Sequence, residues 1–340
     1  MVRTLLPSLL LAPLLWMAPL AAATANPAVP TDQPLPSWRE GSARQRILEF
    51  VAAVTTPGAP GFVAPAERIA VFDNDGTLWS EQPMYIQLAF AIDRARQLAA
   101  TDPTLLENPA IAQAVAPGQD RDLSSLGMAG ILELVGLTHA GLSTEAFSAV
   151  VREWFATARH PRTGRPYTEM AYLPMQELLA YLRSQGFRTY LVSAGGTAFM
   201  RVVGEELYGV PPEQVIGSRI KTHYRAKDGA VSILRLPEPE LINDGPAKPL
   251  AIEALIGRRP LAAFGNSDGD VEMLEWTTAG AGPRLGVLVH HDDGEREVAY
   301  DKASPIGRLD RGLSEAPGRG WILVSMRRDW LRVFADPSGE

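Results

Sequence analysis

Hydrophobic residues along the chain fall into two alternating patterns. Short apolar runs typical of buried strands occur at residues 68–72, 187–192, 260–264, 286–289 and 321–325. Before the first run and between later ones the apolar residues recur with helical spacing, as at residues 40–54 and 248–256. Strands that alternate with helices predict an α/β protein with a doubly wound parallel sheet, whose ligand site lies at the carboxyl ends of the strands.

Residues 83–160 interrupt this alternation with a long region of helical spacing and no convincing alternating strand pattern. We therefore predict a mainly helical inserted cap at residues 80–169. It would lie between two parts of the α/β core, residues 41–79 and residues 170–335.

The pattern beyond the insert predicts three further elements. A helix opens at Pro174, and another covers roughly residues 197–207. Lys227, Asp228 and Gly229 form the expected turn of a β-hairpin.

Composition and charge narrow the function. The chain has 340 residues, of which 46% are apolar and 21% charged, enough for one α/β core with a smaller inserted domain. Its formal net charge of −7, without a basic run, disfavours nucleic acid as a partner. Because the chain has no cysteine, it is neither a disulfide-stabilised domain nor a lipid-modified lipoprotein.

The N-terminal segment has the features of an export signal. Arg3 precedes a mostly apolar stretch at residues 5–20, and small residues at 23–25 offer a cleavage site. A retained membrane anchor is the alternative, although prolines interrupt the stretch. We predict a signal peptide at residues 1–25, a periplasmic or secreted mature protein with no stable membrane anchor, and a proline-rich tether at residues 26–40.

Four polar clusters follow apolar runs or open a helix. In chain order they are Asp73-Asn74-Asp75-Gly76-Thr77, Ser193-Ala194-Gly195-Gly196, Lys248 after residues 243–247, and Gly265-Asn266-Ser267-Asp268-Gly269-Asp270. Because strand ends in a doubly wound sheet converge on one crevice, we expect these clusters to form one site.

Asp73 and Asp75 are the candidates for covalent and acid–base chemistry. A carboxylate can accept a phosphoryl group and so split ester hydrolysis into two steps, and Asp73 directly follows a predicted strand. Asp75 points to the same side if both residues lie just beyond the strand, where it can act as general acid and base. On this motif alone, a simple turn without catalytic function remains an alternative.

Thr77, Ser193 and Lys248 are candidate donors to the phosphoryl oxygens. The main chain at Ala194 and Gly195 can approach a phosphate closely, while Ser193 has a helix N-cap as its alternative role. Lys248 is predicted in the first turn of a helix, where the helix dipole disfavours a cation, so we interpret it as functional.

In order and residue type, the four clusters resemble the haloacid dehalogenase superfamily, in particular its phosphoserine phosphatase-like group. The family order is Asp-x-Asp-x-Thr, then a strand-end Ser or Thr, then a Lys, then an acidic Gly-rich loop. The resemblance covers roughly residues 66–290 and implies a Rossmann-like core with an inserted cap and Mg²⁺-dependent hydrolysis of a small phosphate ester. In the family the second aspartate, Asp75 here, marks phosphoryl transferases, whereas dehalogenases lack it.

The resemblance also implies a Mg²⁺ site formed by Asp73, the main-chain carbonyl of Asp75 and the loop that ends at Asp270. The commonest family pattern, Gly-Asp-x-x-x-Asp, has an aspartate where this chain has Asn266. Asn266 can ligate through its amide oxygen, Asp270 directly or through water, and Asp268 is a further carboxylate within reach. This departure leaves a catalytically weak binding protein as an alternative, beside a hydrolase of a non-phosphate bond.

Three further positions are candidates for substrate binding. Glu81 lies close to the place where the resembling group has a glutamate that recognises the substrate's amino group. Trp79 and Tyr85 flank it, and Trp79 is equally suited to the core. Residues 290–293, His-His-Asp-Asp, are predicted to form a solvated loop and not a metal cluster, because adjacent histidines after a strand point to opposite sides; one histidine at the border of the site is the alternative.

Overall fold

The computed structural model describes residues 34–116 and 127–336. The predicted signal peptide and residues 26–33 of the predicted tether lie outside the described residues. Within these two ranges, no helix has the length and hydropathy needed to cross a bilayer.

A seven-stranded sheet forms the centre of the described chain, in the order β4-β3-β2-β1-β5-β6-β7. All neighbours pair in parallel except β3 and β4, which are antiparallel. The sequence prediction of a doubly wound, parallel α/β fold is therefore confirmed. The strands are β1 (Ile69–Phe72), β2 (Arg188–Gly196), β3 (Val215–Lys227), β4 (Ala230–Leu241), β5 (Ala262–Gly265), β6 (Leu285–His290) and β7 (Ile322–Ser325).

Helices cover both faces of this sheet and fill the segment between β1 and β2. In chain order they are α1 (Ser42–Thr55), α2 (Ile86–Thr101), α3 (Pro109–Val115), α4 (Gly127–His139), α5 (Thr144–Thr157), α6 (Leu173–Ser184), α7 (Thr197–Met200), α8 (Gly204–Tyr208), α9 (Ala247–Ile256), α10 (Val271–Thr278), α11 (Arg311–Arg319) and α12 (Met326–Asp329).

The two faces of β1 show how the sheet buries its side chains. Ala70 and Phe72 belong to the apolar cluster that α1 and α6 cover, whereas Ile69 and Val71 belong to the cluster under α9, α10 and α11. All four residues are buried. A strand covered on both sides needs a continuous apolar sequence, which is why residues 69–72 lack alternation.

The helices α2, α3 and α4 share a small apolar core of their own, built around Ala91, Ile111 and Leu134. The next helix, α5, differs, because Phe147 and Val151 pack into the main cluster of the sheet. The helical segment between β1 and β2 thus has its own core and is also packed against the sheet.

The hairpin of β3 and β4 turns where the sequence predicts it. Lys227 pairs with Ala230, and the two turn residues Asp228 and Gly229 have φ values of 52° and 78°. Positive φ at both central residues matches the right-handed twist of the strands, which explains the Asp-Gly pair.

Two local expectations differ from the structure. The single helix predicted over residues 197–207 is two short helices, α7 and α8, because the chain turns at residues 201–203. In the described part of the predicted tether, Leu35 and Trp38 are buried, and Trp38 Nε1 donates to the carbonyl of Pro174 at 2.9 Å. This part of the tether belongs to the packed unit, because Trp38 packs beside α6 and Leu35 is buried.

Candidate active site

Asp73 lies at the carboxyl end of β1, beside the loop that follows β5. Phe72 is in parallel register with Phe264, and their rings stack with centroids 4.2 Å apart. The main-chain N–H of Asp73 donates to the carbonyl of Phe264 at 2.9 Å. Main-chain contacts therefore fix the position of Asp73 relative to β1 and β5.

The turn after Asp73 brings Asp75 back to the same side. The N–H groups of Thr77 and Leu78 donate to the carbonyl of Asn74, and Gly76 has a φ of 76°. A side chain at Gly76 is excluded, since a Cβ there would lie 2.1 Å from Asn266 Nδ2. The glycine of the Asp-x-Asp-Gly motif is thus required by close packing against the 265–270 loop.

Lys248 connects the first and last polar clusters. It lies in the first turn of α9, is buried, and donates from Nζ to Asp73 Oδ1 at 2.7 Å and to Asp270 Oδ1 at 2.5 Å. Burial alone would lower the pKa of Lys248, but the carboxylates of Asp270 and Asp73 raise it above its ordinary value. The lysine remains a cation inside the site.

Asp75 has a different partner. Trp79 is buried, and its Nε1 donates to Asp75 Oδ1 at 2.8 Å. Burial raises the pKa of Asp75 to about 6, against the opposing effects of the Trp79 hydrogen bond and the Lys248 charge. Trp79 therefore serves both the apolar core and the site, a combination that the sequence left open.

Ser193 faces Asp75 across a small space at the end of β2. A methyl group at Gly195 would lie 3.3 Å from Asp75 Oδ2 and 3.4 Å from Ser193 Oγ. Ser193 Oγ accepts from the Gly195 N–H at 3.1 Å, and Ala194 is exposed beside it. Ser193 is not the N-cap of α7, whose N-cap residue is Gly196.

The loop after β5 is organised around Asp270. Asp270 Oδ2 accepts from the N–H groups of Asn266 and Ser267, at 3.0 Å each, while Oδ1 binds Lys248. Asp268 points elsewhere, because its Oδ1 accepts from the N–H groups of residues 310 and 312 at the start of α11. Of the two aspartates, Asp270 is the one that meets Asp73 through Lys248.

Asn266 and Thr77 bond to each other. Thr77 Oγ1 donates to Asn266 Oδ1 at 2.9 Å, and both side chains are buried. The Thr77 hydroxyl, predicted to donate to a phosphoryl oxygen, thus donates to another side chain of the protein. Thr77 orders the amide of Asn266 in this structure.

Glu81 contacts the same amide from the other side. Glu81 Oε1 accepts from Asn266 Nδ2 at 2.7 Å and from the Tyr300 hydroxyl at 2.7 Å, and Glu81 is only 2% exposed. Burial raises its pKa well above the ordinary value, and the charges of Asp75 and Asp73 add to this. Tyr85, by contrast, is partly exposed at the rim.

His291 contacts the first motif, whereas the preferred prediction for residues 290–293 is a solvated loop. The loop predicted at residues 290–293 is not solvated throughout, because His291 and Asp293 are each 2% exposed. His291 Nε2 lies 2.7 Å from the carbonyl of Gly76, and since a carbonyl only accepts, Nε2 carries the proton. Its ring stacks on Tyr300 with centroids 4.3 Å apart. His290 is less buried than His291, so the two adjacent histidines differ in their surroundings.

The charges of the site favour a cation. Lys248 bonds to the buried carboxyl groups of Asp73 and Asp270, while the same site also contains the half-buried Asp75 and the buried Glu81. Burial raises the pKa of Asp73 to about 8 against the attraction of Lys248, and the charges of Asp270 and Asp75 raise it further. Among the described residues the site thus holds more acidic groups than cationic groups, and a bound cation would favour the ionised forms of these acids.

The donor atoms suit a hard divalent ion. The Asp73 carboxylate, the Asp75 carbonyl and Asn266 Oδ1 are all oxygens, the ligand type that Mg²⁺ requires. Among residues 34–116 and 127–336, no three Asp, Glu or His side chains form a metal-ligand cluster. The donor set therefore fits Mg²⁺ only when the neutral amide of Asn266 and a main-chain oxygen are included.

Comparison with known proteins identifies the family. Residues 70–275, more than half of the chain, match the model of the haloacid dehalogenase-like hydrolases. The chain belongs to this family, and the resemblance derived from the four motifs is confirmed.

The chain is also similar to several solved structures. A conserved protein of unknown function from Anaerococcus prevotii DSM 20548 is 16% identical, with a TM-score of 0.50 over 73% of this chain and 85% of that chain. A protein of unknown function from Bordetella pertussis Tohama I is 18% identical, with a TM-score of 0.46 over 76% of this chain and 98% of that chain. A probable phosphoserine phosphatase from Vibrio cholerae is 15% identical, with a TM-score of 0.36 over 75% of this chain and 65% of that chain. None of the curated proteins matches the sequence.

Proposed function

We propose that this hydrolase is a Mg²⁺-dependent phosphomonoester hydrolase that acts on a small phosphate ester through an aspartyl-phosphate on Asp73. The observation that carries this proposal is the pairing of Asp73 with Asp75 in one turn, with Ser193 Oγ and Asp75 Oδ2 beside the same point at Gly195. A nucleophile, an acid–base group and a phosphate donor are the groups that phosphoryl transfer needs.

The hydrogen bonds assign one oxygen of each aspartate to a structural contact. Lys248 holds Asp73 Oδ1, so Oδ2 is the oxygen that bonds to phosphorus. Trp79 holds Asp75 Oδ1, so Oδ2 carries the proton to be transferred. Asp75 Oδ2 and Ser193 Oγ both lie beside the same point at Gly195.

The reaction proceeds in two displacements. Asp73 Oδ2 forms a bond to phosphorus while the ester P–O bond breaks, and Asp75 protonates the departing alkoxide. Asp75 then takes a proton from water as the water oxygen attacks phosphorus, and the P–O bond to Asp73 breaks to release phosphate. Ser193 and the main chain at Ala194 hold the phosphoryl oxygens throughout.

When bound, Mg²⁺ would be held by Asp73, the Asp75 carbonyl and Asn266, with Asp270 behind them, and would neutralise charge on the phosphoryl oxygens. Lys248 contributes a second positive charge from within the protein. It also keeps Asp73 and Asp270 in fixed positions relative to each other.

Phosphate release from an aryl phosphate, with Mg²⁺ or with a chelator, tests the proposal. We expect activity with Mg²⁺ only, and none in Asp73→Asn. Asp228→Asn is the matched control, because the hairpin turn is exposed and asparagine tolerates its positive φ. Activity in Asp73→Asn equal to the wild type would contradict the mechanism, and turnover of a halogenated acid by Asp75→Ala would favour a non-phosphate hydrolase.

We also infer that the mature protein is exported to the periplasm or secreted. Its small-molecule partner would be the phosphate ester that it hydrolyses. The apolar stretch at residues 5–20 and the small residues at 23–25 support this inference. Cell fractionation and N-terminal sequencing of the mature chain test it. Recovery of an uncleaved chain in the cytoplasmic fraction would contradict export.

A further inference from the structure

A chain of buried hydrogen bonds crosses the site from Thr77 to Tyr300. Thr77 Oγ1 donates to Asn266 Oδ1, Asn266 Nδ2 donates to Glu81 Oε1, and the Tyr300 hydroxyl donates to the same Glu81 oxygen. The distances are 2.9, 2.7 and 2.7 Å. Every link is shorter than 3 Å, so the chain is continuous.

The chemistry of Glu81 fixes the amide of Asn266 in one orientation. Glu81 Oε1 accepts from both Asn266 Nδ2 and the Tyr300 hydroxyl, so the Asn266 group beside it is the NH₂ and not the carbonyl. The amide oxygen must then point the opposite way, towards Thr77 and the turn that carries Asp73. Without an acceptor at position 81, the amide could turn over and present its NH₂ to a cation.

Two glycines show that the pair is closely enclosed. A Cβ at Gly307 would lie 1.8 Å from Glu81 Oε1, and a Cβ at Gly76 would lie 2.3 Å from it. Both glycines have positive φ, at 65° and 76°. The main chain therefore surrounds Glu81, and the carboxylate has little freedom to move away from Asn266.

The family pattern has an aspartate at the position of Asn266, so this chain lacks one negative charge among the direct metal ligands. We propose that Glu81 is a positioning residue for the metal, and that Glu81 and Asn266 together replace the family's aspartate. With a divalent cation bound, which favours the ionised form of Glu81 despite its burial, Asn266 would supply the ligating oxygen, and Glu81 would supply the charge from behind it and set the direction of the amide. Partners of this kind change metal affinity when they are lost.

This inference rests on the proposed Mg²⁺ dependence, but it assigns Glu81 a role different from the one that the family resemblance implies. If Glu81 recognised a substrate amino group, its carboxylate would face the substrate. In the structure it is 2% exposed and accepts two hydrogen bonds from the protein. The two roles differ in what they predict for metal binding without substrate.

Metal affinity measured without substrate separates these roles. Mg²⁺ binding by calorimetry and Mn²⁺ binding by electron paramagnetic resonance would be compared for the wild type, Glu81→Gln, Asn266→Asp and the double variant. Glu177→Gln is the matched control, because Glu177 is also a buried glutamate with a main-chain partner, Ser37 N at 2.8 Å. Circular dichroism and thermal unfolding would establish that each variant is folded.

We expect Glu81→Gln to weaken Mg²⁺ binding roughly 10- to 100-fold, the usual range for loss of a group behind a metal ligand. The double variant restores a carboxylate at position 266 and should recover affinity to within about threefold of the wild type. Asn266→Asp should increase Mg²⁺ affinity less in the wild type than in the Glu81→Gln variant. In the wild type the new carboxylate lies next to that of Glu81, and the two repel each other. Glu177→Gln should bind like the wild type.

A wild-type affinity in Glu81→Gln, or additive effects in the double variant, would overturn the inference while leaving the proposed function intact. A change confined to the KM of an amino-bearing phosphate ester would assign Glu81 to the substrate and also overturn it. If the wild type neither bound a divalent cation nor hydrolysed the aryl phosphate, both the inference and the proposed function would fail.

Tyr300→Phe provides a second measurement that leaves both charges in place. It removes one hydrogen bond from a neutral donor to Glu81 and acts on the metal only through Glu81, so Mg²⁺ binding should weaken by roughly threefold to tenfold. Unchanged affinity in a folded Tyr300→Phe protein would show that Glu81 does not depend on Tyr300 and would count against the inference. Because phenylalanine keeps the ring that stacks on His291, this variant tests the inference even if Glu81→Gln does not fold.

Discussion

Replacing Trp79 by phenylalanine tests whether the indole bond to Asp75 contributes to turnover. Trp79 Nε1 donates to Asp75 Oδ1 at 2.8 Å. Phenylalanine lacks this donor but keeps an aromatic ring among Phe155, Phe199 and Tyr208, whose centroids lie 6.2 to 6.5 Å from the indole. The substitution thus removes mainly one hydrogen bond to a reacting carboxyl group.

The size of the effect follows from the charge on Asp75. A hydrogen bond to a charged group contributes about 1.5–3 kcal/mol. Each 1.36 kcal/mol corresponds to a tenfold change in rate, so we expect kcat on an aryl phosphate to fall roughly 10- to 100-fold. This is an upper range, because the bond also exists before the reaction and only its strengthening in the transition state contributes.

Trp154→Phe is the matched control. Trp154 is also buried among aromatic rings, and its Nε1 donates to an aspartate, Asp93 Oδ2, at 3.0 Å. That bond lies within the helical insert and does not involve Asp75. Both variants should lose a similar amount of thermal stability, but Trp154→Phe should keep kcat within about twofold of the wild type. If Trp79→Phe also kept the wild-type kcat at equal loss of Tm, the indole would have no part in catalysis and the reasoning would be refuted.

Three further predictions concern buried polar groups. Lys248→Met should abolish turnover and lower the free energy of unfolding in urea by about 3 kcal/mol, because Asp73 and Asp270 lose their buried cation; a loss below about 1 kcal/mol would contradict this. His291→Phe should lower kcat and cost about 1–3 kcal/mol of stability, because the Gly76 carbonyl loses its donor; wild-type kcat in a folded variant would show that this contact is dispensable. Burial lowers the pKa of His139 from 6.5 to about 3, so the folded protein keeps it neutral while the unfolded chain takes up a proton below pH 6.5. Stability should therefore fall between pH 6.5 and about pH 3, and urea unfolding of His139→Gln should show a smaller fall; parallel pH profiles would exclude His139 as the cause.

The fold was predictable because its signals are local. The apolar residues 69–72 end at Asp73, and a strand buried on both faces requires such a run. Asp228 and Gly229 specify a hairpin turn through their positive φ. These signals depend only on residues that are neighbours in sequence, so the strand and the turn can be predicted without the tertiary structure.

The partners of the site residues were not predictable, because they come from distant positions. His291 meets the Gly76 carbonyl across 215 positions, and Tyr300 meets Glu81 across 219. No periodicity in either segment indicates which side chain turns inward. The hydrogen bonds that connect the loop after β6 to the first motif and to Glu81 form only in the folded chain.

Thr77 and Asp268 also have hydrogen-bond partners that the sequence does not indicate. Both residue types suit a phosphate or metal site, and the sequence offers no reason to exclude either. In the structure, Thr77 donates a hydrogen bond to Asn266, and Asp268 accepts hydrogen bonds from the main chain at the start of α11. A residue's chemistry shows what it can bind, whereas its partners are set by packing.

The helical insert is joined to the proposed phosphate-binding segment by a fixed chain of hydrogen bonds. The Gly196 N–H donates to Gln87 Oε1 at 2.6 Å, so Gln87 must present its NH₂ to the His139 Nε2, 3.0 Å away. His139 then carries its proton on Nδ1 and donates it to Thr138 Oγ1 at 2.9 Å, which in turn donates to the carbonyl of Leu134. Each donor and acceptor has one assignment, and that assignment holds only while His139 is neutral. The burial that lowers the pKa of His139 therefore also keeps α2 and α4 bonded to the end of β2, where Ser193 lies.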